Sequence, residues 1–228
     1  MKLVSLFSGG KDSTFAIHKA RREGHEIVCL LTMLSENDAS YMFHTSNIKI
    51  AEYSAACLDL PIIFAETKGE KEKELSDLSE ILHDLKKSIG IEGVLTGAIK
   101  SNYQKERVDN ICEKLNLKSV APLWHTDERK LIEEMLAEGF QIIFVGVAAA
   151  GLDESWLGRM LDEDSLKDLI ALNKKYGISI VGEGGETESF VLDCPIFKKS
   201  IIVLEGKKKW NGIRGEYEII RIELKGKR

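Results

Sequence analysis

The chain opens on an apolar run, Leu3-Val4, that leads through Leu6-Phe7 directly into Ser8-Gly9-Gly10-Lys11-Asp12-Ser13. A strand that ends in a glycine turn and enters a helix at once constrains the fold strongly. The helix must cross the sheet and return the chain to a parallel neighbour. The same rhythm continues through residue 125. Short apolar segments at residues 3–7, 27–31, 62–65, 93–96 and 119–121 read as parallel strands covered on both faces. Between them lie amphipathic stretches, one carrying Leu75, Leu78, Leu82, Leu85 and Ile89, another Val108, Ile111, Cys112 and Leu115. The expected fold class is therefore α/β, a doubly wound parallel sheet over residues 1–125. After Pro122-Leu123-Trp124 the pattern changes to a smaller α+β domain over residues 126–228. Its helices are expected at 127–138 and 154–176, and its strands at 141–147, 178–181, 190–192, 201–204 and 216–224, with a turn at Asn211-Gly212.

In doubly wound sheets, ligands bind beyond the carboxyl ends of the strands. Residues 8–13, Thr32-Met33 and Gly97-Ala98 are all expected there. A glycine loop opening a helix presents free backbone N–H groups and the positive end of the helix dipole to an anion. Gly9 and Gly10 let the backbone approach a phosphate, Ser8 and Ser13 can donate hydroxyl hydrogen bonds, and Lys11 can offset phosphate charge. Asp12 would be repelled by a polyphosphate unless Mg²⁺ bridges the two, which marks it as a metal ligand. The spacing fits neither Walker A nor Gly-x-Gly-x-x-Gly. It resembles instead the PP-loop of N-type ATP pyrophosphatases, which split ATP between the α and β phosphates.

Two further segments carry candidate chemistry. Gly182-Glu183-Gly184-Gly185-Glu186-Thr187-Glu188 packs three carboxylates among three glycines. Such acids repel one another unless a cation, an ammonium or hydrogen-bond donors are shared among them. In Gly97-Ala98-Ile99-Lys100-Ser101-Asn102-Tyr103-Gln104-Lys105-Glu106-Arg107, Ser101 and Gln104 have capping-box spacing and can start a helix, while Lys100, Gln104 and Arg107 can face a ligand from that end. His44 lies in a polar-aromatic stretch, and Trp156 reads as a core residue. Lys207-Lys208-Lys209 reads as a solvated tip.

Composition narrows the classes. The net charge of −5 speaks against a general nucleic-acid-binding surface. No segment approaches about 18 uninterrupted apolar residues, so no membrane span is expected. The four cysteines, Cys29, Cys57, Cys112 and Cys194, are widely spaced, which suits reduced thiols in a cytoplasmic protein better than a disulfide framework or zinc site. Self-association is left open.

With these motifs together, nearly the whole chain resembles the diphthine–ammonia ligase (diphthamide synthetase) family. The PP-loop corresponds to residues 8–13. The family's Gly-x-Ile-x-Ser-x-Tyr-Gln-x-x-Arg-Val signature is similar to Gly97 through Val108, and its Gly-Glu-Gly-Gly-Glu loop to residues 182–186. Thr187 stands where members often carry an aromatic residue. The resemblance implies ATP and Mg²⁺ as cofactors, ammonium as nitrogen source, and diphthine on translation elongation factor 2 as acceptor, with no nucleic acid or membrane partner. It implies Ser8, Gly9, Gly10, Lys11 and Ser13 at the phosphates, Asp12 on magnesium, and Thr32, Met33 and Gly97 at the nucleoside. Catalytic roles are expected of Lys11 and Asp12 and, beyond the family motif, of Glu183, Glu186 and Glu188, whose carboxylates can attract ammonium and accept its proton. His44, Ser101, Tyr103, Gln104, Arg107, Gly184 and Gly185 fall to the substrate side. The competing readings are a tRNA-thiolating ATP pyrophosphatase, for which the chain lacks cysteine pairs and a basic domain, and a non-catalytic ATP-binding module, which would not need the acidic loop.

Overall fold

The computed structural model describes residues 1–35, 48–67 and 71–227; His44 lies outside them. Contacts divide the chain into two units, residues 1–8, 12–56 and 60–124, and residues 9–11, 57–59 and 125–228. The first contains β1 (Lys2–Leu6), the bulk of α1 (Lys11–Arg22), β2 (Glu26–Ser35), most of α2 (Ala51–Leu58), β3 (Ile62–Thr67), α3 (Lys71–Ile89), β4 (Gly93–Leu95), α4 (Asn102–Lys114) and β5 (Lys118–Val120). Every ladder is parallel, in the order β3-β2-β1-β4-β5, so the α/β class and all five expected strands are present.

The core follows from the helical periodicities. Leu78, Leu82 and Leu85 of α3 and Val108, Ile111 and Cys112 of α4 pack with Val4, Leu31, Met33 and Val94. Each buried leucine contributes about 2 kcal/mol. Ile89, expected on the same face, is exposed at the end of α3. One expectation needs correction. β2 runs on to Ser35 because Thr32 through Ser35 pair with Phe64 through Thr67, so Thr32 and Met33 lie inside the strand and not beyond it.

The order places the switch point between β1 and β4, whose following connections diverge and leave a crevice. Gly97, in the loop after β4, sits directly on the backbone at the start of α1. A Cβ at this position would come within 2.7 Å of Asp12 C and Ser13 N. Only glycine permits that approach.

The second unit holds α5 (Glu128–Ala137), β6 (Gln141–Val147), α6 (Glu163–Tyr176), β7 (Thr187–Asp193), β8 (Lys199–Trp210) and β9 (Gly215–Gly226). Its sheet is antiparallel, in the order β7-β6-β9-β8. The helix expected over residues 154–176 is broken. A single 3₁₀ turn at Glu154–Trp156 is followed by residues that bond along β6, through Gly158 N to Phe144 O (2.8 Å) and Leu161 N to Ile142 O (2.8 Å). α6 then restarts behind a capping box between Asp162 and Ser165. Trp156 is buried edge-on against Phe144, a core residue as read. Residues 178–181 form no strand. β8 and β9 extend far beyond their apolar stretches, and Lys207, Lys208 and Lys209 lie inside β8, ahead of the turn. Among the described residues no helix is long and apolar enough to cross a membrane.

Two predictions follow from this packing. Gly97→Ala should lower stability by about 1–3 kcal/mol, read from the urea midpoint, because backbone rather than a flexible side chain must yield. The second concerns the thiols. Burial pushes Cys29 up to about 11 and Cys112 up to about 12, with Asp109 adding to the latter; burial likewise raises Cys57 to about 11 and Cys194 to about 12. The unfolded thiol, near 9.0, ionises first, so native stability from this source is complete below that pH and is lost as pH rises towards 12. Wild-type stability should therefore fall relative to Cys112→Val between pH 9 and 11, and all four thiols should resist disulfide reagents at pH 8 until the chain is unfolded.

Candidate active site

The residues of the loop between β1 and α1 divide between the two units. In the first, Ser8 and Ser13 face one another across the helix start, their hydroxyl oxygens 3.3 Å apart. Ser13 is buried and Asp12 half-buried in the first turn of α1, where its negative charge suits the helix dipole. Thr32 donates its hydroxyl to the Phe7 carbonyl at 2.6 Å, and Met33 belongs to the core. What these two can offer a nucleoside is main chain.

Gly9, Gly10 and Lys11 belong by contact to the second unit. The Gly9 carbonyl accepts a hydrogen bond from Val191 N at 3.2 Å, and Lys11 N donates to Ser189 Oγ at 3.1 Å. Lys11 is only 4% exposed, and its ammonium donates to the Val181 carbonyl at 2.5 Å. A buried ammonium requires such partners.

Val181 immediately precedes the acidic glycine loop, and this loop has a definite internal structure. Gly182 has φ +75° and lies so close to Thr187 that an added Cβ would fall 2.1 Å from the Thr187 hydroxyl. Thr187, the departure from the family pattern, thus packs its small side chain on Gly182. Glu186 clasps the loop: Oε1 accepts from Ser179 N at 3.0 Å and Oε2 from Gly184 N at 2.7 Å. Ser179 is the hub. Its hydroxyl accepts from Gly182 N at 3.1 Å and donates to Glu128 Oε2 at 3.0 Å, and the same Glu128 oxygen accepts from Ile180 N at 2.7 Å. Glu188 stands in β7 opposite Gly146 of β6. Glu186 is committed to backbone donors, which offsets part of the repulsion expected from the spacing of the three carboxylates.

On α4, Ser101 is the N-cap, its hydroxyl accepting from Gln104 N at 3.3 Å. That supplies one half of the expected capping box. Arg107 lies over the Tyr103 ring, 3.4 Å from its centroid, and donates Nη1 to the Tyr103 carbonyl at 3.1 Å. This pair forms one cationic-aromatic surface in the first two turns. Lys105 bonds Asp109 at 2.6 Å and lies 5.5 Å from the Trp124 ring centroid. Burial would push the Asp109 carboxyl up, but hydrogen bonds from Lys105 and Ser119 outweigh it and hold the group below the usual carboxylate range.

The structure thus groups Ser8, Asp12, Ser13 and Gly97 at one switch point, and Lys11 with the loop that bears Glu183, Gly184, Gly185, Glu186 and Glu188. Glu128, Ser179 and Ser189 were not singled out from the sequence. An acid after an Asp cap reads as dipole compensation, and Ser179 sits in a stretch that reads as strand. Among the described residues no group of three or more His, Cys, Asp or Glu side chains could hold a metal. The oxygen donor that Asp12 supplies is of the kind Mg²⁺ accepts alongside waters and phosphates.

Residues 1–119 match the family model of the diphthamide synthase N-terminal domain, and residues 127–224 that of the diphthamide synthase C-terminal domain. A diphthine–ammonia ligase of Rattus norvegicus is 38% identical over 222 residues, covering 89% of this chain and 83% of that protein. The Homo sapiens diphthine–ammonia ligase is 38% identical over 225 residues, with the same shares covered. That of Schizosaccharomyces pombe is 38% identical over 221 residues, 90% of this chain but 36% of a longer protein. A solved structure titled as a predicted subunit of tRNA methyltransferase from Methanocaldococcus jannaschii is 16% identical with a TM-score of 0.43, covering 86% of this chain and 98% of its own, a likeness too distant to bear on fold or function. The two family models, one on each side of residues 120–126, establish that the chain belongs to the diphthamide synthase family.

Proposed function

We propose that this chain is an ATP-dependent ligase that amidates diphthine with ammonia, releasing AMP and pyrophosphate. The observation that carries this reading is the match to diphthine–ammonia ligases over most of the chain, with both loops inside the residues that the diphthamide synthase family models match. The acceptor is the diphthine side chain of elongation factor 2, and the protein works in the cytoplasm. Residues 1–125 bind ATP, and residues 126–228 supply the acceptor side.

The reaction runs in two steps. A carboxylate oxygen of diphthine attacks the α-phosphorus, the bond to the β-phosphate oxygen breaks, and pyrophosphate leaves with that electron pair. Ammonia then attacks the acyl carbon, AMP departs, and the proton lost by nitrogen passes to a base. Ser8, Ser13 and the loop amides orient the phosphates, and Lys11 balances charge on the leaving pyrophosphate. Asp12 would hold Mg²⁺, which supplies further neutralisation of the phosphate oxygens when bound. Ammonia reaches neutral solution mostly as ammonium, so the carboxylates of Glu183, Glu186 and Glu188 serve to attract the cation and accept its proton. Tyr103, Gln104 and Arg107, with Ser101 fixing the start of their helix, meet the acceptor. Gly184 and Gly185 let it approach the loop backbone.

Incubation with ATP, Mg²⁺, ammonium and diphthine-bearing elongation factor 2 should convert the carboxylate to the amide, seen by mass spectrometry, with AMP formed in equal amount. ADP as product, or an unchanged factor confirmed to carry diphthine, would reject the reading. Glu186→Gln should retain ATP binding while slowing amide formation at limiting ammonium by about a hundredfold. Unchanged turnover there would remove Glu186 from the ammonia step.

A further inference from the structure

Within the second unit, one short neutral segment, Ser179-Ile180-Val181, touches both halves of the proposed chemistry. Its last carbonyl receives the Lys11 ammonium at 2.5 Å. Its first residue holds the acidic loop through Ser179 N, which donates to Glu186 Oε1 at 3.0 Å, through Ser179 Oγ, which accepts from Gly182 N at 3.1 Å and Glu183 N at 3.4 Å, and through its carbonyl, which accepts from Gly182 N at 3.3 Å. The segment forms no strand and borrows its stability from elsewhere. That support is Glu128 at the start of α5, a single carboxylate oxygen taking Ile180 N at 2.7 Å and Ser179 Oγ at 3.0 Å. No motif of the family resemblance includes Glu128 or Ser179.

We infer that Glu128 and Ser179 are positioning residues that tie the phosphate loop to the acidic loop, Glu128 governing both ends of the Ser179-Ile180-Val181 segment and Ser179 the acidic end alone. The division follows from which bonds each side chain makes. Removing the Ser179 hydroxyl takes its acceptor from Glu183 N (3.4 Å) and leaves Gly182 N with the Ser179 carbonyl alone (3.3 Å), while Ile180 N stays on Glu128 and the Val181 carbonyl stays in place. Removing the Glu128 carboxylate leaves Ile180 N without its acceptor, so the Val181 carbonyl no longer holds the ammonium in a fixed direction. A charge-assisted hydrogen bond from a backbone amide is strong enough for its loss to register in affinity. Because the two loops share one anchor, occupancy of either also biases the other, and this coupling is reciprocal for binding.

This inference deepens the proposed function and rests on it for the meaning of the two ends. The test compares Ser179→Ala, Glu128→Ala and Glu128→Gln in the full chain, with equilibrium ATP binding and the KM for ammonium measured separately. Ser179→Ala should raise the ammonium KM about tenfold and leave ATP affinity within about twofold of wild type. Glu128→Ala should weaken both by about tenfold, and Glu128→Gln, which keeps an oxygen able to accept both bonds, should restore both. A merely structural role would move the two quantities together in every variant, and that pattern overturns the proposal. So does unchanged ATP affinity in Glu128→Ala, or a Glu128→Gln variant as impaired as Glu128→Ala. ATP binding needs no amide product. If wild type binds ATP but makes no amide, the diphthine reading falls, while the contrast in ATP affinity, with amide hydrogen exchange at Ile180 and Gly182, still decides the coupling. Faster exchange at Gly182 and Glu183 in Ser179→Ala and at Ile180 in Glu128→Ala supports the anchor; unchanged exchange in both variants overturns it.

Discussion

β1 is paired in parallel on both sides, to β2 and to β4, with Leu3, Val4 and Ser5 all buried. Such a strand can leave the sheet only at its ends, and the connections from β1 and β4 run outward from the same point. The chain after Phe7 is thereby delivered to one place whatever its own sequence. The residues of the loop decide only what happens there. Gly97 completes the constraint from the opposite side, since the loop after β4 rests against the carbonyl carbon of Asp12 and the amide of Ser13. The start of α1 is thus held by packing alone, which is the preorganisation that the proposed phosphate site would need.

The acidic residues of the second unit show how a protein carries carboxylates where repulsion should scatter them. Glu186 and Glu128 each take two hydrogen bonds, three of the four coming from backbone N–H groups of residues 179–184 and one from the Ser179 hydroxyl. Each of the three backbone bonds satisfies an amide that no ladder or helix uses. The irregular stretch between α6 and β7 is therefore ordered by side chains in place of secondary structure. This makes it sensitive to single substitutions in a way that a strand would not be.

Much of the first unit was legible because its signals are local. Buried parallel strands are short apolar runs, α3 and α4 carry three- and four-residue periodicities, and Ser101 announces a helix start by its own chemistry. The second unit resisted for equally physical reasons. Ile178-Ser179-Ile180-Val181 has the β-branched composition of a strand, yet its amides at 179 and 180 are claimed by Glu186 and Glu128. Periodicity cannot register a carboxylate some fifty residues away in sequence. The run from 154 to 176 looked continuous, yet backbone bonding of residues 158–161 to β6 interrupts it. β8 and β9 continue through lysines and glutamates because each supplies the other's hydrogen bonds, a pairing that needs no apolar alternation.

The clasp that Glu186 provides for the loop is compatible with the proposed role of the same carboxylate in accepting the proton of ammonium. An ionised carboxylate offers about four lone-pair directions, and the bonds from Ser179 N and Gly184 N use two. The clasp fixes where the remaining pairs point, which is what an acceptor of protons from a small, unanchored nucleophile requires. A glutamine at this position would present an amide N–H to one of the two backbone donors, losing orientation and charge together. Loss of the Ser179 hydroxyl, which bonds Gly182 N, Glu183 N and Glu128 and not Glu186, leaves both backbone bonds and the charge of Glu186 in place. The two changes therefore separate the Glu186 carboxylate itself from the loop it clasps.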